Sequence, residues 1–178
     1  EVFAALATRD AEARAAGVML LPGAGFDVVP TDCLAAHLHH RLPGATHLRL
    51  AFRPGAKASR GTALSALEAA GRQGLVRRDG ALTPVPLGHR TIEVDFGRGP
   101  TRAIAIPWGD VFTATVTTGI PNVEVFIGVP FTTRVALRAA GKVTPLLQRP
   151  AIQRWIARRI RAGAPGPSAD TRRRARSL

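Results

Sequence analysis

The chain has 178 residues, which is enough for one domain with a buried core and short for a two-domain enzyme. Apolar residues make up 46% and charged residues 21%, a composition that excludes a disordered or fibrous chain. The 25 basic residues outnumber the 12 acidic ones, but residues 131–178 carry 12 of the basic residues against Asp170 alone. The excess positive charge therefore belongs to the C-terminal part, and the first 130 residues are nearly neutral.

Cys33 is the single cysteine, which excludes an intramolecular disulfide and a zinc site built from cysteines and fits a reducing cytoplasm. No apolar run has the roughly 18 residues needed to span a bilayer, and the first residues lack the pattern of a signal peptide. We therefore expect a cytoplasmic protein. Glu1 opens directly on a helical pattern, which indicates that sequence is missing upstream.

The first forty residues have the pattern of an α/β unit. Helix-forming residues over 1–16 are followed by the continuous apolar run Val18–Leu21, which predicts a strand buried on both faces. The glycine loop Pro22–Gly25 then leads into a helix predicted over Pro30–Leu42. Helix, buried strand and glycine loop in this order indicate a ligand cleft at the end of the strand.

The rest of the chain predicts a sheet between helices. A half-buried strand is predicted over Thr46–Phe52 and a helix over Ser59–Ala70. Residues 75–130 contain β-rich runs divided by turns, which indicate an antiparallel or mixed meander. These runs are Leu82–Pro86, Thr91–Phe96, Arg102–Ile106, Phe112–Val116 and Val123–Ile127. The helical pattern returns from Phe131 to Ala162, and we expect residues 163–178 to form a disordered basic tail.

The glycine loop is the first candidate binding element. Gly23 and Gly25 let the backbone approach a ligand closely, and the helix that follows offers free amide donors to an anion. The same residues also suit a simple strand-to-helix turn with Thr31 or Asp32 as the helix cap, and both interpretations stay open. A G-x-G-x-x-G dinucleotide fingerprint is excluded, because Val28 stands where the third glycine is needed.

A tryptophan beside Gly-Asp is the second candidate. Trp108 can wall a pocket in which Asp110 offers a carboxylate, next to a rigid loop over Gly119–Asn122. A hairpin with a buried tryptophan explains the same residues. The chain has no tyrosine, nucleophile elbow, P-loop or zinc-protease motif, so an acid or base has to be Asp, Glu or His.

Cys33 and His37 have the spacing of a metal-ligand pair. They lie four residues apart on a predicted helix, and His40 follows three residues later. No carboxylate or fourth ligand completes the set at a recognisable spacing. We therefore predict no metal site.

The last predicted helix is basic and amphipathic. Over Pro150–Arg161 one face carries Ile152, Trp155, Ile156 and Ile160, and arginines occupy the other. Such a helix binds an anionic membrane or a nucleic acid, or is simply a surface helix with its apolar face buried. The sequence leaves these alternatives open.

Four stretches of the chain form a larger pattern when they are taken together. They are Leu20–Asp32, Ser59–Ser65, Ile106–Val111 and Thr118–Val125. In this order and spacing they resemble the saccharopine dehydrogenase-like oxidoreductases, most closely the branch with the trans-acting enoyl reductases of bacterial lipid synthesis. Arg60 departs from the pattern, since the family often has glycine there.

The resemblance implies an NAD(P)-dependent oxidoreductase that transfers hydride to a small or lipid-linked substrate. Family members join a Rossmann domain to an α/β substrate and dimerisation domain. Residues 1–42 would be the terminal helix, strand and helix of a Rossmann-like domain, and residues 45–162 an incomplete substrate and dimerisation domain. The predicted fold class is α/β, with α+β character in the second part, where a mixed or antiparallel sheet with flanking helices follows the Rossmann-like unit.

The resemblance also implies candidate site residues. Those near the nicotinamide end of the cofactor cleft are Gly23, Gly25, Phe26 and Asp27. Those facing substrate or a domain interface are Trp108, Asp110 and Asn122. Asp27 and Asp110 are the candidates for a catalytic group. Because the cofactor fingerprint of the family lies upstream of these residues, we expect an internal fragment that does not bind NAD(P) tightly or turn over alone.

The predicted partner of the intact protein is its small-molecule or lipid-linked substrate, with no nucleic acid. A homodimer and a peripheral membrane contact stay open. The alternative prediction is a non-enzymatic module that binds nucleic acid or an anionic membrane through the basic C-terminal helix and tail. The same helix leaves open whether the cytoplasmic protein associates with a membrane.

Overall fold

The computed structural model describes residues 2–54, 59–69, 73–142, 149–163 and 166. The helices are α1 (Val2–Ala7), α2 (Asp10–Ala15), α3 (Val29–Arg41), α4 (Arg60–Ala69), α5 (Asp110–Thr118), α6 (Phe131–Lys142) and α7 (Pro150–Ala162). The strands are β1 (His47–Phe52), β2 (Gly74–Arg78), β3 (Ala81–Val85), β4 (Thr91–Asp95), β5 (Pro100–Ala105) and β6 (Asn122–Gly128).

The strands form one six-stranded antiparallel sheet with the order β3-β2-β6-β5-β4, and β1 also pairs with β6. Asp79 and Gly80 join β2 to β3 with φ of 47° and 80°, the left-handed backbone that a two-residue hairpin turn needs. Strands β4 and β5 pair in the register Thr91↔Ile104 to Asp95↔Pro100. The sheet and its flanking helices confirm the α+β part of the predicted fold class.

The chain divides into two compact units. The first comprises Glu1–Leu50, Leu75–Thr83 and Pro107–Val125, and α3 packs against α5 within it. Its buried apolar side chains include Leu50, Val76, Val111, Ala114 and Val123. The division into residues 1–42 and 45–162 stays a prediction.

The second unit comprises Ala51–Gly74, Pro84–Ile106 and Phe126–Leu178. Its core is a cluster of Ala103, Ala105 and Phe126, against which Ile92 and Val94 also pack. Helices α4 and α7 are in contact within this unit.

The predicted buried strand at Val18–Leu21 is wrong. These residues have no regular secondary structure, all four side chains are exposed, and Met19 is 82% exposed. Met19, Leu20 and Leu21 form no hydrogen bond with any described residue. A continuous apolar run becomes a buried strand only where neighbouring strands supply its ladder, and the described sheet does not include this segment.

The predicted strand at Phe112–Val116 is also wrong, because this stretch lies in helix α5. Val111, Ala114 and Thr118 are buried at helical spacing along one face. Gly119 ends the helix with φ of 71°, as is common for a glycine after a helix. Tertiary burial therefore overrides the β-branched composition of the run.

Most other predicted elements are confirmed, including α3, α4, β1, β3, β4, β5 and β6. The first predicted helix is split into α1 and α2, and β2 was not predicted. The basic tail lies outside the described residues apart from Gly163 and Gly166. Within the part of the chain that the structure describes, no helix is long and apolar enough to cross a membrane.

Candidate functional site

The loop Pro22–Val28 of the first unit presents its tip to solvent. Gly23 has φ of 73°, and a Cβ placed on it would lie 3.0 Å from Cε1 of Phe3. Gly23 is thus needed both for the turn and for the ring packed beneath it. Around Gly25 the space is open, since a Cβ there would meet no atom within 4 Å. Phe26 is 90% exposed, so the tip offers an aromatic ring beside open backbone.

Trp108 joins this loop to the segment before α5. Its indole Nε1 donates a hydrogen bond of 2.5 Å to the carbonyl oxygen of Asp27. The next residue, Gly109, packs so closely that a Cβ on it would lie 2.8 Å from Cγ2 of Val28. The structure therefore brings together the two candidate elements that the sequence singled out separately. The indole contacts a loop backbone, and the predicted hairpin around Trp108 is replaced by the start of a helix.

Asp110 begins helix α5 with a fully buried side chain. Its Oδ1 lies 2.5 Å from Thr31 Oγ1, and Thr31 Oγ1 also donates to the carbonyl oxygen of Val28 at 3.0 Å. A hydroxyl group has one hydrogen, so it cannot donate to both oxygens at once. Thr31 Oγ1 is the donor to Asp110 Oδ1, and the carbonyl oxygen of Val28 competes for the same hydrogen.

The surroundings of Asp110 disfavour its charged form. Burial raises the pKa of the Asp110 carboxyl above its usual value, the bond to Thr31 opposes this rise, and the nearby charge of Asp32 adds to it. Its second oxygen, Oδ2, is buried without a hydrogen-bond partner among the described residues. Such a group is costly to bury and is most easily tolerated when the carboxyl is neutral.

Asp32 is the second carboxyl group between α3 and α5. Its Oδ2 accepts a hydrogen bond of 2.6 Å from Thr117 Oγ1, whereas its Oδ1 is buried without a described partner. Asp110 and Thr117 lie seven residues apart and so on the same face of α5. We call Thr31, Asp32, Asp110 and Thr117 the Asp110 cluster. The predicted capping role of Thr31 and Asp32 is wrong, since no side chain caps α3 and both residues instead bond to α5.

Asn122 makes structural hydrogen bonds at the start of β6. Its Oδ1 accepts from the backbone nitrogen of Asp79, and its Nδ2 donates to the carbonyl oxygen of Thr46, both at 2.9 Å. The side chain thereby ties the β2–β3 turn to the start of β1. Its predicted contact with a substrate stays a prediction.

The described residues contain no group of three or more His, Cys, Asp or Glu that could hold a metal ion. Cys33 and His37 are both exposed on α3.

A nicotinamide cofactor fits the loop at one end only. The open space at Gly25 and the exposed ring of Phe26 can receive a planar group. Pro22–Val28 carries no basic side chain for a pyrophosphate.

The pairing of Thr31 with Asp110 and of Thr117 with Asp32 was missed at the level of sequence. The residues of each pair are separated by 79 and 85 positions, so no local spacing relates them. A helical assignment for residues 110–118 would have placed Asp110 and Thr117 on one face. This shared helical face was the one signal in the sequence that could have pointed to the cluster.

Comparison with known proteins adds no family assignment. No protein-family model matches the sequence, and no curated protein matches it either.

Proposed function

We propose that the chain is part of an NAD(P)-dependent oxidoreductase of the saccharopine dehydrogenase-like type, acting on a small or lipid-linked substrate. The observation that supports this most strongly is the bond from Trp108 to Asp27. It joins two of the motifs on which the resemblance rests, although they lie 81 residues apart. Their convergence is expected if both belong to one site.

In this proposal the loop provides the surface that meets cofactor and substrate. Phe26 and the backbone at Gly25 hold the nicotinamide end, and the exposed carboxyl of Asp27 faces the substrate. When bound, the nicotinamide supplies a hydride to one atom of the substrate double bond that is to be reduced. Asp27 is the candidate catalytic group at this end of the loop.

Asp110 acts as a positioning residue in this scheme. Because its side chain is fully buried, it does not reach solvent or a substrate in this conformation. Its bond to Thr31 instead holds the start of α3 against α5, next to the loop that Trp108 fastens through Asp27. The two bonds together fix the loop backbone, as a site on a rigid frame requires.

The exposed run Val18–Leu21 supports a further element of the proposal. Its four apolar side chains precede the loop and have no strand neighbour among the described residues. Exposed apolar runs of this kind mark contact surfaces. We propose that this run is a contact surface next to the cofactor loop.

Titration of NADPH with the full chain tests the proposal through the nicotinamide fluorescence. We expect weak binding, with Kd in the millimolar range and a free energy of about −4 kcal/mol. Phe26→Ala should abolish the signal. Phe131→Ala is the matched control, since Phe131 is also well exposed but lies on α6 of the second unit. An absent signal, or one that both variants reduce equally, would contradict the proposed site.

A further inference from the structure

The apolar face of helix α7 packs against other parts of the second unit. Ile152, Ile156 and Ile160 are partly buried at helical spacing, and α7 contacts α4. The amphipathic pattern of the sequence is therefore explained by packing on this side. What remains for a partner is the exposed surface of α7.

The exposed surface of α7, which we call its exposed face, carries four arginines and a tryptophan; one line of arginines lies opposite the isoleucines, and Trp155 and Arg159 lie at the edge of the isoleucine face. Arg154, Arg158 and Arg161 lie along one line at i, i+4 and i+7, and Arg159 stands beside Trp155. Trp155 is 61% exposed, and the Arg159 guanidinium lies over its ring, 5.4 Å from the ring centroid. The face thus combines several cations with one large aromatic ring.

These cations have no ion-pair partner among the described residues. The sequence contains no Asp or Glu from position 125 to position 169. Like charges four residues apart on a helix repel one another. An anionic surface opposite this face would relieve that repulsion.

An exposed aromatic side chain accompanies the cations of α7. Trp155 has a large apolar ring and one N–H group, the combination that is enriched where a membrane meets water. The headgroup region of a bilayer accepts both, since aromatic and apolar groups enter it while arginines contact lipid phosphates.

We propose that the exposed face of α7 docks on the surface of an anionic lipid membrane. Helix α7 has 13 residues and is therefore about 20 Å long, so it lies on the surface without spanning it. The arginines contact the lipid phosphates, and Trp155 enters the headgroup region. This inference is independent of the proposed oxidoreductase activity, because it uses no residue of the loop or the Asp110 cluster.

Sedimentation of the full chain with vesicles tests the proposal. We expect binding to phosphatidylcholine vesicles that contain one third phosphatidylglycerol and little binding to phosphatidylcholine alone. The triple variant Arg154→Gln, Arg158→Gln, Arg161→Gln should bind on the order of 100-fold more weakly, since each basic residue near such a surface adds about fivefold. The matched control replaces three exposed arginines elsewhere, Arg41, Arg78 and Arg98, with Gln and has the same net charge.

Fluorescence reports whether α7 itself makes the contact. Tryptophan emission should shift to shorter wavelength on binding, and Trp155→Phe should lose that shift. The proposal is overturned if the chain fails to bind the anionic vesicles, or if both triple variants bind equally. It is also overturned if a single-stranded or duplex oligonucleotide of equal phosphate concentration binds more tightly than the vesicles.

Discussion

Replacing Thr31 by Val tests the contacts that hold α3 against α5. The two side chains have nearly the same shape, so the substitution removes the hydroxyl group and little packing. It breaks the bond to Asp110 and the bond to the Val28 carbonyl, and leaves the buried Asp110 with neither oxygen paired by a side chain. A bond to a buried group that can be charged is worth about 1.5–3 kcal/mol. We expect a loss of about 3 kcal/mol in unfolding free energy at neutral pH.

Thr117→Val is the matched control for this substitution. It also removes a threonine hydroxyl that bonds to a carboxyl group, but the Thr117–Asp32 bond is exposed to solvent. Water replaces such a bond, so its loss should cost about 0.5–1 kcal/mol. Thr31→Ser keeps the hydroxyl and should recover most of the stability lost in Thr31→Val.

Urea unfolding followed by circular dichroism measures these differences, provided that the transitions of the variants have the same slope. The reasoning is refuted if Thr31→Val costs no more than Thr117→Val. It is also refuted if Thr31→Ser is as damaging as Thr31→Val, because the effect would then arise from packing and not from the hydroxyl group.

The remaining predictions concern Asp110 itself and the close packing beside it. Because the pKa of Asp110 is raised in the folded state, this group supports folding most fully below about pH 4, and its contribution to stability falls as the pH rises toward the raised pKa. Asp110→Asn should therefore flatten this part of the pH dependence of stability, measured by urea unfolding. An unchanged profile would contradict the raised pKa of Asp110. Gly109→Ala should cost about 1–3 kcal/mol by forcing a methyl group against Val28, whereas Gly25→Ala, in open space, should be nearly neutral in the same assay. Asn122→Ala should lower the melting temperature by several degrees through loss of its two backbone bonds, about 1 kcal/mol each, and a neutral result would show that these bonds contribute little.

Most of the sheet, although not β2, was predicted from the sequence, because local signals define its turns and strands. Asp79-Gly80 is a strong hairpin turn, and Asp95 accepts hydrogen bonds from the backbone nitrogens of Gly97, Arg98 and Gly99 in the turn after β4. The alternation of apolar and polar residues in the runs next to these turns then sets which face of the sheet is buried. These signals act within a few residues and need no knowledge of the rest of the fold.

The errors occur where distant residues decide the structure. Phe112–Val116 has the composition of a strand, yet burial of one helical face against α3 makes it a helix. Val18–Leu21 has the composition of a buried strand, but its backbone has no neighbour in the described sheet to pair with. Secondary structure in both segments depends on partners that the local sequence does not contain.

Only part of the candidate site could be predicted from the sequence, because distant residues also decide how its side chains pair. The Gly-rich loop and Trp108 stand out because their residue types are unusual, and the structure joins them. The pairing of Thr31 with Asp110 depends on the phase of two helices, one of which was predicted as a strand. The hydrogen bond between Thr31 and Asp110 could therefore not be inferred from the sequence.

In the proposed function, the loop fastened by Trp108 meets the nicotinamide end of a cofactor. Two-dimensional ¹H–¹⁵N NMR with nicotinamide mononucleotide tests it directly, because the two tryptophans give separate indole signals. We predict that the backbone signals of Gly25 and Phe26 and the Trp108 indole shift on titration, while the Trp155 indole stays in place. Shifts confined to Trp155, or no shifts at millimolar ligand, would contradict the account.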